Sequence, residues 1–102
     1  MVELMSLRYR EWWHASFGHL VNALVTLLKA EKEGKVLTVT ELRRLAGIPE
    51  TSFFRTVKEA LQKGGLVEYR VDERERIIEV HLTEKGRKLA ECLVTVWPEG
   101  IK

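Results

Sequence analysis

The sequence of 102 residues predicts an α+β fold that is mainly helical, and three features support this class. Apolar residues recur at the helical period in several separate stretches. A Gly-Ile-Pro segment at 47–49 predicts a tight turn between two helices, because glycine permits a sharp bend and proline suits a first helical turn. Two later stretches alternate apolar and polar residues, which is typical of a β-hairpin.

The composition bounds the class of protein. With 45% hydrophobic and 31% charged residues, the chain is expected to fold around one core, and its length fits one domain. We identify no secretory signal and no membrane span, so we expect a cytoplasmic protein without a membrane partner. The single cysteine, Cys92, excludes an intramolecular disulfide.

The charges are unevenly distributed along the chain, although the net charge is only +2. Residues 34–64 carry six basic and three acidic groups, whereas residues 65–82 carry three basic and five acidic groups. This distribution excludes a protein that is basic all over and allows one basic element beside a mixed one. The low content of Asn, Gln and Asp, one of each, is typical of thermophilic proteins.

The first half of the chain predicts two helices. Residues 5–34 form either one long helix or two helices that meet near Gly18, and Gly34 suits a left-handed end. A few extended residues follow at 36–39. Thr40 then begins a second helix at 41–46, which we expect to point Leu42 and Leu45 inward.

The second half predicts a helix, a hairpin and a last helix. The helix at 49–63 has one buried stripe, made of Phe53, Val57, Ala60 and Leu61. Strands at 66–71 and 77–82 flank a charged loop at 72–76. A last helix starts after Thr83 and runs to about residue 94, with these residues inward: Leu89, Ala90 and Leu93.

This order of elements predicts a winged helix-turn-helix with an N-terminal helical extension and a C-terminal helix. We expect one domain over 1–102. Its parts are the extension at 1–18, the winged-helix core at 19–82, and the C-terminal helix and tail at 83–102.

Residues 19–93 resemble winged-helix transcription regulators, most closely the MarR type. Four segments carry the resemblance, in the family's order: 37–42 (LTVTEL), 45–49 (LAGIP), 61–67 (LQKGGLV), and the charged wing at 72–76 together with LTEKGR at 82–87. Two departures stand out. The helix at 49–63, which corresponds to the family's recognition helix, is about one residue longer than usual. In the family an aspartate pairs with the wing arginine, which corresponds to Arg76 here. Asp72 is displaced from the position of that aspartate, which puts the pair in question.

The candidate DNA-binding residues follow from the face opposite the buried stripe. That face holds Arg55, which suits guanine, and Thr51 and Ser52 near the helix N-terminus, where phosphate binds well. The second helix crosses the DNA backbone in this geometry and the wing reaches the minor groove. The candidates are Thr51, Ser52, Arg55, Lys58, Arg43, Arg44, Arg74 and Arg76. The alternative is that these side chains form a solvated surface with no role in DNA binding. For Phe54, on the flank, packing beneath the wing or the second helix is favoured over contact with a thymine methyl.

Aromatic residues near the N-terminus predict an interface. Four of them within nine residues exceed what one outer helix of a small monomer needs. We expect a homodimer seam with the last helix, formed by Tyr9, Trp12, Trp13, Phe17, Leu93 and Trp97. The alternative is that this helix covers its own core. Cys92 fits a core or interface better than a redox sensor.

No catalytic, metal-ligating or phosphate-cradling motif is present, so we expect no enzyme activity and no cofactor. The favoured function is a homodimeric regulator that binds double-stranded DNA. One alternative is a winged-helix module for protein–protein interaction, which the low net charge and acidic wing favour. Another is a repressor that responds to a small-molecule effector, bound in a pocket between the aromatic first helix and the core.

Overall fold

The computed structural model describes the backbone of residues 2–101 and the side chains of residues 17–101. Its elements are helix α1 (Val2–Lys32), helix α2 (Val39–Ala46), a third helix at 50–63, strands β1 (Val67–Val71) and β2 (Ile77–Leu82), and a last helix (Glu84–Val96). This order is the predicted winged arrangement: a helix, a helix-turn-helix, a hairpin and a last helix. The α+β fold class is therefore confirmed. Across the described part of the chain, no helix has the length and apolar character needed to cross a membrane.

Helix α1 is continuous through Gly18, so the structure decides for one long helix rather than two. It ends where the sequence predicts, with Gly34 in the left-handed region at φ 72°. The N–H of Lys35 donates to the carbonyl of Ala30 at 2.8 Å and closes the end of the helix. Val21, Leu24 and Leu28 are buried, so this helix contributes one side of the core.

Helix α2 is held at both ends. Thr38 is its N-cap: its hydroxyl accepts from the N–H of Glu41 at 3.2 Å, while the Glu41 carboxylate accepts from the N–H of Thr38 at 3.1 Å. The helix therefore begins at Val39. Leu42 is fully buried as predicted, but Leu45 is 65% exposed, and its predicted inward position is wrong. The buried stripe of this short helix runs instead through Val39, Leu42 and Ala46.

The third helix, α3, contains a π-helical turn. An α-helical turn (Glu50–Ser52) leads into the π turn (Phe53–Val57), and an α-helical segment (Lys58–Lys63) follows. The N–H of Lys58 donates to the carbonyl of Phe53, five residues back. This wider turn accommodates one additional residue, which gives a physical account of the longer helix noted in the sequence.

The π turn also aligns the core residues of α3. In a regular α-helix each step of four residues drifts about 40°, so residues eight apart diverge by about 80°. A π turn rotates less per residue and offsets this drift. Phe53, Val57 and Leu61 are all 0% exposed as a result, whereas Ala60, also predicted to be inward, is only half-buried.

The hairpin pairs antiparallel, with Val67 opposite Leu82 and Tyr69 opposite Val80. A bulge between Arg70 and Val71 shifts the register before the loop. On its other edge, β2 receives one bridge: the N–H of Val80 donates to the carbonyl of Leu37 at 2.9 Å. The hairpin is thereby joined to the segment that precedes α2.

The last helix, α4 (Glu84–Val96), begins at a junction locked to the end of α3. The Thr83 hydroxyl accepts from the N–H of Gly86 at 3.0 Å and donates to the carbonyl of Gly65. The N–H of Thr83 donates to the carbonyl of Leu66 at 3.0 Å. Ala90 is buried, but Leu89 is exposed, and its predicted inward position is wrong.

The C-terminal tail folds back onto α1. The side chain of Asn22 donates to the carbonyl of Ile101 at 2.8 Å and accepts from the N–H of Ile101 at 2.6 Å. Lys29 and Glu99 form an exposed ion pair nearby, at 3.4 Å. Asn22 thus fixes the tail against the first helix.

Candidate nucleic-acid interface

One face of α3 is exposed to solvent. Its members repeat at helical spacing, and we call them the exposed face of α3: Thr51, Phe54, Arg55, Lys58, Glu59 and Gln62. Of these, Lys58 is half-buried and the others are exposed, while Ser52 is half-buried at the edge. The structure therefore brings the predicted α3 candidates onto one side of the helix, opposite the buried stripe.

The acidic groups of α3 are paired with cations. Glu59 lies 2.7 Å from the Lys63 ammonium, and that bond lowers the pKa of Glu59 and raises the pKa of Lys63. Glu50 lies 3.9 Å from the guanidinium of Arg43. Arg55 is exposed and has no ion-pair partner within residues 17–101. The positive charge at the middle of this face is therefore available to an external anion or base edge.

Phe54 does not pack beneath the wing or the second helix, so that prediction is wrong. The residue is 51% exposed. The ring stands at 84° to the ring of Phe53, with centroids 5.4 Å apart, and the ammonium of Lys58 lies 6.0 Å from its centroid. Adjacent residues of a helix point about 100° apart, so a residue next to the buried Phe53 lies at the edge of the buried stripe.

The two arginines of α2 have different surroundings. Arg43 is half-buried against Glu50, and its buried Nε has no hydrogen-bond partner among the described residues. Arg44 is exposed. Of the two, Arg44 is the one whose side chain is open to a phosphate.

The wing loop is organised by Asp72. One oxygen of its carboxylate accepts from the N–H groups of Arg74 and Arg76, each at 2.9 Å, and the other accepts from Nε of Arg76 at 3.0 Å. These bonds hold the pKa of Asp72 below its ordinary value. The Asp–Arg pair questioned from the sequence is therefore present.

The displaced aspartate reaches Arg76 because the loop is compact. The N–H of Glu75 donates to the carbonyl of Asp72 at 3.0 Å, and Glu75 takes the left-handed region at φ 61°. This is a type of three-residue hairpin loop in which a turn is followed by a left-handed residue. Arg76 is consequently held at the base of the loop, while the side chain of Arg74 is exposed at its tip.

A tyrosine connects the wing to α3. The hydroxyl of Tyr69 donates to the carbonyl of Lys58 at 3.0 Å. Burial raises the pKa of the Tyr69 phenol, so it remains a protonated donor at neutral pH. The strand that carries the wing is thus tied to the middle of the helix that carries the exposed face.

The predicted dimer residues divide into two groups. The side chains of Tyr9, Trp12 and Trp13 lie outside the described residues. Phe17 and Trp97 meet edge to face within one chain, with centroids 5.7 Å apart, and Leu93 packs against the core. The spacing of three and four residues that links Leu89, Cys92 and Val96 in the sequence forms an apolar stripe on α4, and all three residues are exposed.

Comparison with known proteins identifies relatives of this arrangement. A family model described as ArnR1-like, winged-helix domain, matches residues 9–98. Among proteins with curated functions, none matches. A MarR family transcriptional regulator from Silicibacter pomeroyi has a similar structure, with 26% identity over 88% of this chain and a TM-score of 0.62. The chain spans 57% of the length of that protein.

A second solved structure shows the same fold. It is a MarR family transcriptional regulator from Silicibacter pomeroyi DSS-3, with a TM-score of 0.63. Its identity to this chain is 24%, over 95% of this chain and 67% of its own. Together with the family model, these matches confirm the predicted resemblance to winged-helix regulators.

Proposed function

Because the chain belongs to the ArnR1-like winged-helix domain family, we propose that it is a homodimeric transcription regulator that binds specific sequences of double-stranded DNA. Helix α3 enters the major groove with its exposed face, and the wing loop lies over the adjacent minor groove. Both proteins of similar structure are MarR family transcriptional regulators, which supports extending this class of function to the present chain.

The observation that carries the proposal is the state of Arg55. It is exposed in the middle of α3, and the neighbouring carboxylates of Glu50 and Glu59 are paired with Arg43 and Lys63 instead. An unpaired guanidinium on a helix of this fold can donate two hydrogen bonds to O6 and N7 of guanine. Thr51, Ser52 and Lys58 flank it and supply contacts to bases or phosphates.

The supporting contacts come from α2 and the wing. Arg44, which is exposed on α2, contacts the phosphate backbone, whereas Arg43 mainly holds Glu50 away from the DNA. At the wing, Arg74 extends from the tip towards the minor groove. Arg76 holds the loop in shape through Asp72 and adds positive charge at its base.

The dimer forms through the apolar stripe of α4 and the aromatic N-terminal part of α1. Leu89, Cys92 and Val96 lie on one side of α4, and Val96 is 64% exposed. Exposed apolar side chains along a helix are typical of an interface. Light scattering at micromolar concentration should give twice the chain mass of 11.8 kDa, and Leu89→Asp combined with Val96→Asp should give the monomer.

Fluorescence anisotropy on duplex DNA tests the binding function. The probes are the flanking region of the gene and a scrambled duplex, at about 50 and 200 mM salt. For six to ten phosphate contacts, affinity should fall about 10³–10⁵-fold between these salts. Arg55→Ala should cost about 1–3 kcal/mol on the preferred duplex only. Arg44→Ala should weaken both duplexes equally and flatten the salt dependence, and Lys88→Ala on α4 serves as the control.

The alternative of a protein-interaction module is favoured by one observation. Leu45 is 65% exposed on α2, and Val36 is 51% exposed in the segment before α2, so the surface presents apolar groups that the core does not use. Equal and weak binding to both duplexes at about 50 mM salt would contradict the DNA-binding function and support this alternative.

A further inference from the structure

Phe54 is the outstanding unexplained side chain on the exposed face of α3. It is half exposed on a helix whose other large apolar residues, Phe53, Val57 and Leu61, are completely buried. The other members of the exposed face of α3 are polar or charged. Phe54 is next to the buried Phe53 and points about 100° away from it around the helix, so it lies at the border of the core-facing stripe.

The ring has a defined position on that surface. Its edge-to-face contact with the buried Phe53 ring, at 5.4 Å, restricts the side chain from below. From the side, the Lys58 ammonium lies 6.0 Å from its centroid, within the range of a cation–π contact. A ring restrained in this way loses little conformational freedom when it meets a partner.

The surroundings of Phe54 favour nucleic acid as that partner. The next residue, Arg55, is a cation without an ion-pair partner among residues 17–101, Lys58 is a second cation, and Thr51 lies one turn earlier. An apolar group placed among cations on a face that meets the major groove finds one apolar group there, the 5-methyl of thymine. A wholly apolar protein surface would leave the two cations without a partner.

We propose that Phe54 contacts the methyl group of a thymine and thereby sets one position of the preferred DNA sequence. This inference rests on the proposed function, since it requires α3 to lie in the major groove. Arg55 then reads one base pair, and Phe54 recognises the A·T pair beside it.

The test removes single methyl groups from the DNA. The wild-type chain first selects duplexes from a random pool, and the selected duplex is then made with deoxyuridine in place of each thymine in turn. Deoxyuridine pairs with adenine as thymine does and lacks only the methyl. At one or two positions, wild-type affinity should fall about fourfold, which corresponds to about 0.8 kcal/mol for one methyl-sized group.

The variants assign that loss to Phe54. Phe54→Ala should bind the thymine and deoxyuridine duplexes equally, and Phe54→Leu should keep part of the difference. Arg55→Ala, the matched control on the adjacent residue, should bind more weakly overall while it retains the methyl dependence. Circular dichroism should show the wild-type fold for all three variants, and Phe54→Ala should melt only slightly lower, because the half-exposed ring contributes mainly its contact with Phe53.

The outcomes separate the two proposals. A pool that yields no preferred duplex contradicts the proposed function itself. A preferred duplex without methyl dependence, or a methyl dependence that persists in Phe54→Ala, leaves DNA recognition standing and overturns the assignment of Phe54.

Discussion

Gly86 lies directly against the carbonyl group of Leu66, where the first turn of α4 crosses the segment that leads into the wing. A Cβ atom built on Gly86 would lie only 1.9 Å from the carbonyl oxygen of Leu66. The neighbouring Thr83 accepts from the N–H of Gly86 and donates its own N–H to the same carbonyl of Leu66. The glycine of the LTEKGR segment at 82–87 is thus required because two stretches of backbone pack directly against each other there.

Gly86→Ala should therefore destabilise the protein by about 3 kcal/mol, because backbone atoms must move to admit the methyl. Gly18→Ala is the matched control, since Gly18 is also a buried glycine inside a helix. There a Cβ would meet Ile101 at an ordinary 3.6 Å, and alanine should stabilise the helix by up to about 1 kcal/mol. Urea denaturation of both variants measures these changes. Equal effects of the same sign would contradict the close approach.

The carboxylate of Asp72 should titrate below its ordinary pKa of 3.8, mainly because the N–H of Arg76 donates to it. Since the pKa is lower in the folded chain than in the unfolded chain, the stabilisation is complete above about pH 4 and is lost as the pH falls through the folded pKa. Nuclear magnetic resonance follows the carboxyl carbon directly. The amide signals of Arg74 and Arg76 should shift with the same midpoint.

Asp72→Asn provides the comparison for this wing prediction. The amide oxygen can still accept from the two backbone N–H groups, but the charge that pairs with Arg76 is removed. The melting temperature of this variant should vary less between pH 5 and pH 2.5 than that of the wild type. A carboxyl midpoint at or above 3.8 would show that the Asp72–Arg76 pair does not form in solution.

Removing the hydroxyl of Tyr69 should loosen the wing from α3. Tyr69→Phe eliminates the hydrogen bond to the carbonyl of Lys58 and should cost about 1 kcal/mol of stability in urea denaturation. Burial raises the pKa of this phenol, so the folded protein should lose stability as the pH rises above 10, where the unfolded chain ionises.

The ultraviolet absorbance of phenolate checks this directly. The difference between wild type and Tyr69→Phe should show no ionisation of Tyr69 at pH 10, whereas Tyr9 contributes equally to both proteins and cancels. An ordinary midpoint near 10 would contradict the buried hydrogen bond.

Asn22 should control the order of the C-terminal tail. Asn22→Ala removes the two hydrogen bonds with Ile101 and should destabilise the protein by about 1–3 kcal/mol. Hydrogen exchange at the Ile101 amide should accelerate. Lys29→Ala is the control: it breaks only the exposed pair with Glu99 and should change stability by less than about 1 kcal/mol. If the Ile101 amide exchanges equally fast in wild type and Asn22→Ala, the tail is not held by Asn22.

Local signals in the amino-acid sequence are sufficient to predict the elements and their order. Gly47 ends α2 in the left-handed region, Thr83 caps α4, and the alternation at 67–71 and 77–82 predicts the hairpin. A cap, a turn or a strand pattern depends on residues only a few positions apart, so each can be recognised from its own segment. For the same reason the helical period alone places the polar candidates Thr51, Arg55 and Lys58 on one face of α3.

Features that depend on packing at a distance come from the folded chain instead. The π turn keeps Phe53, Val57 and Leu61 directed at one core, and the half-exposed position of Phe54 depends on which surfaces the neighbouring elements leave uncovered. Asn22 and Ile101 meet across 79 positions of the sequence, which no local period encodes. Hydrophobic period and helix propensity are properties of one helix at a time. Which of its side chains become buried depends on the other elements that pack against it.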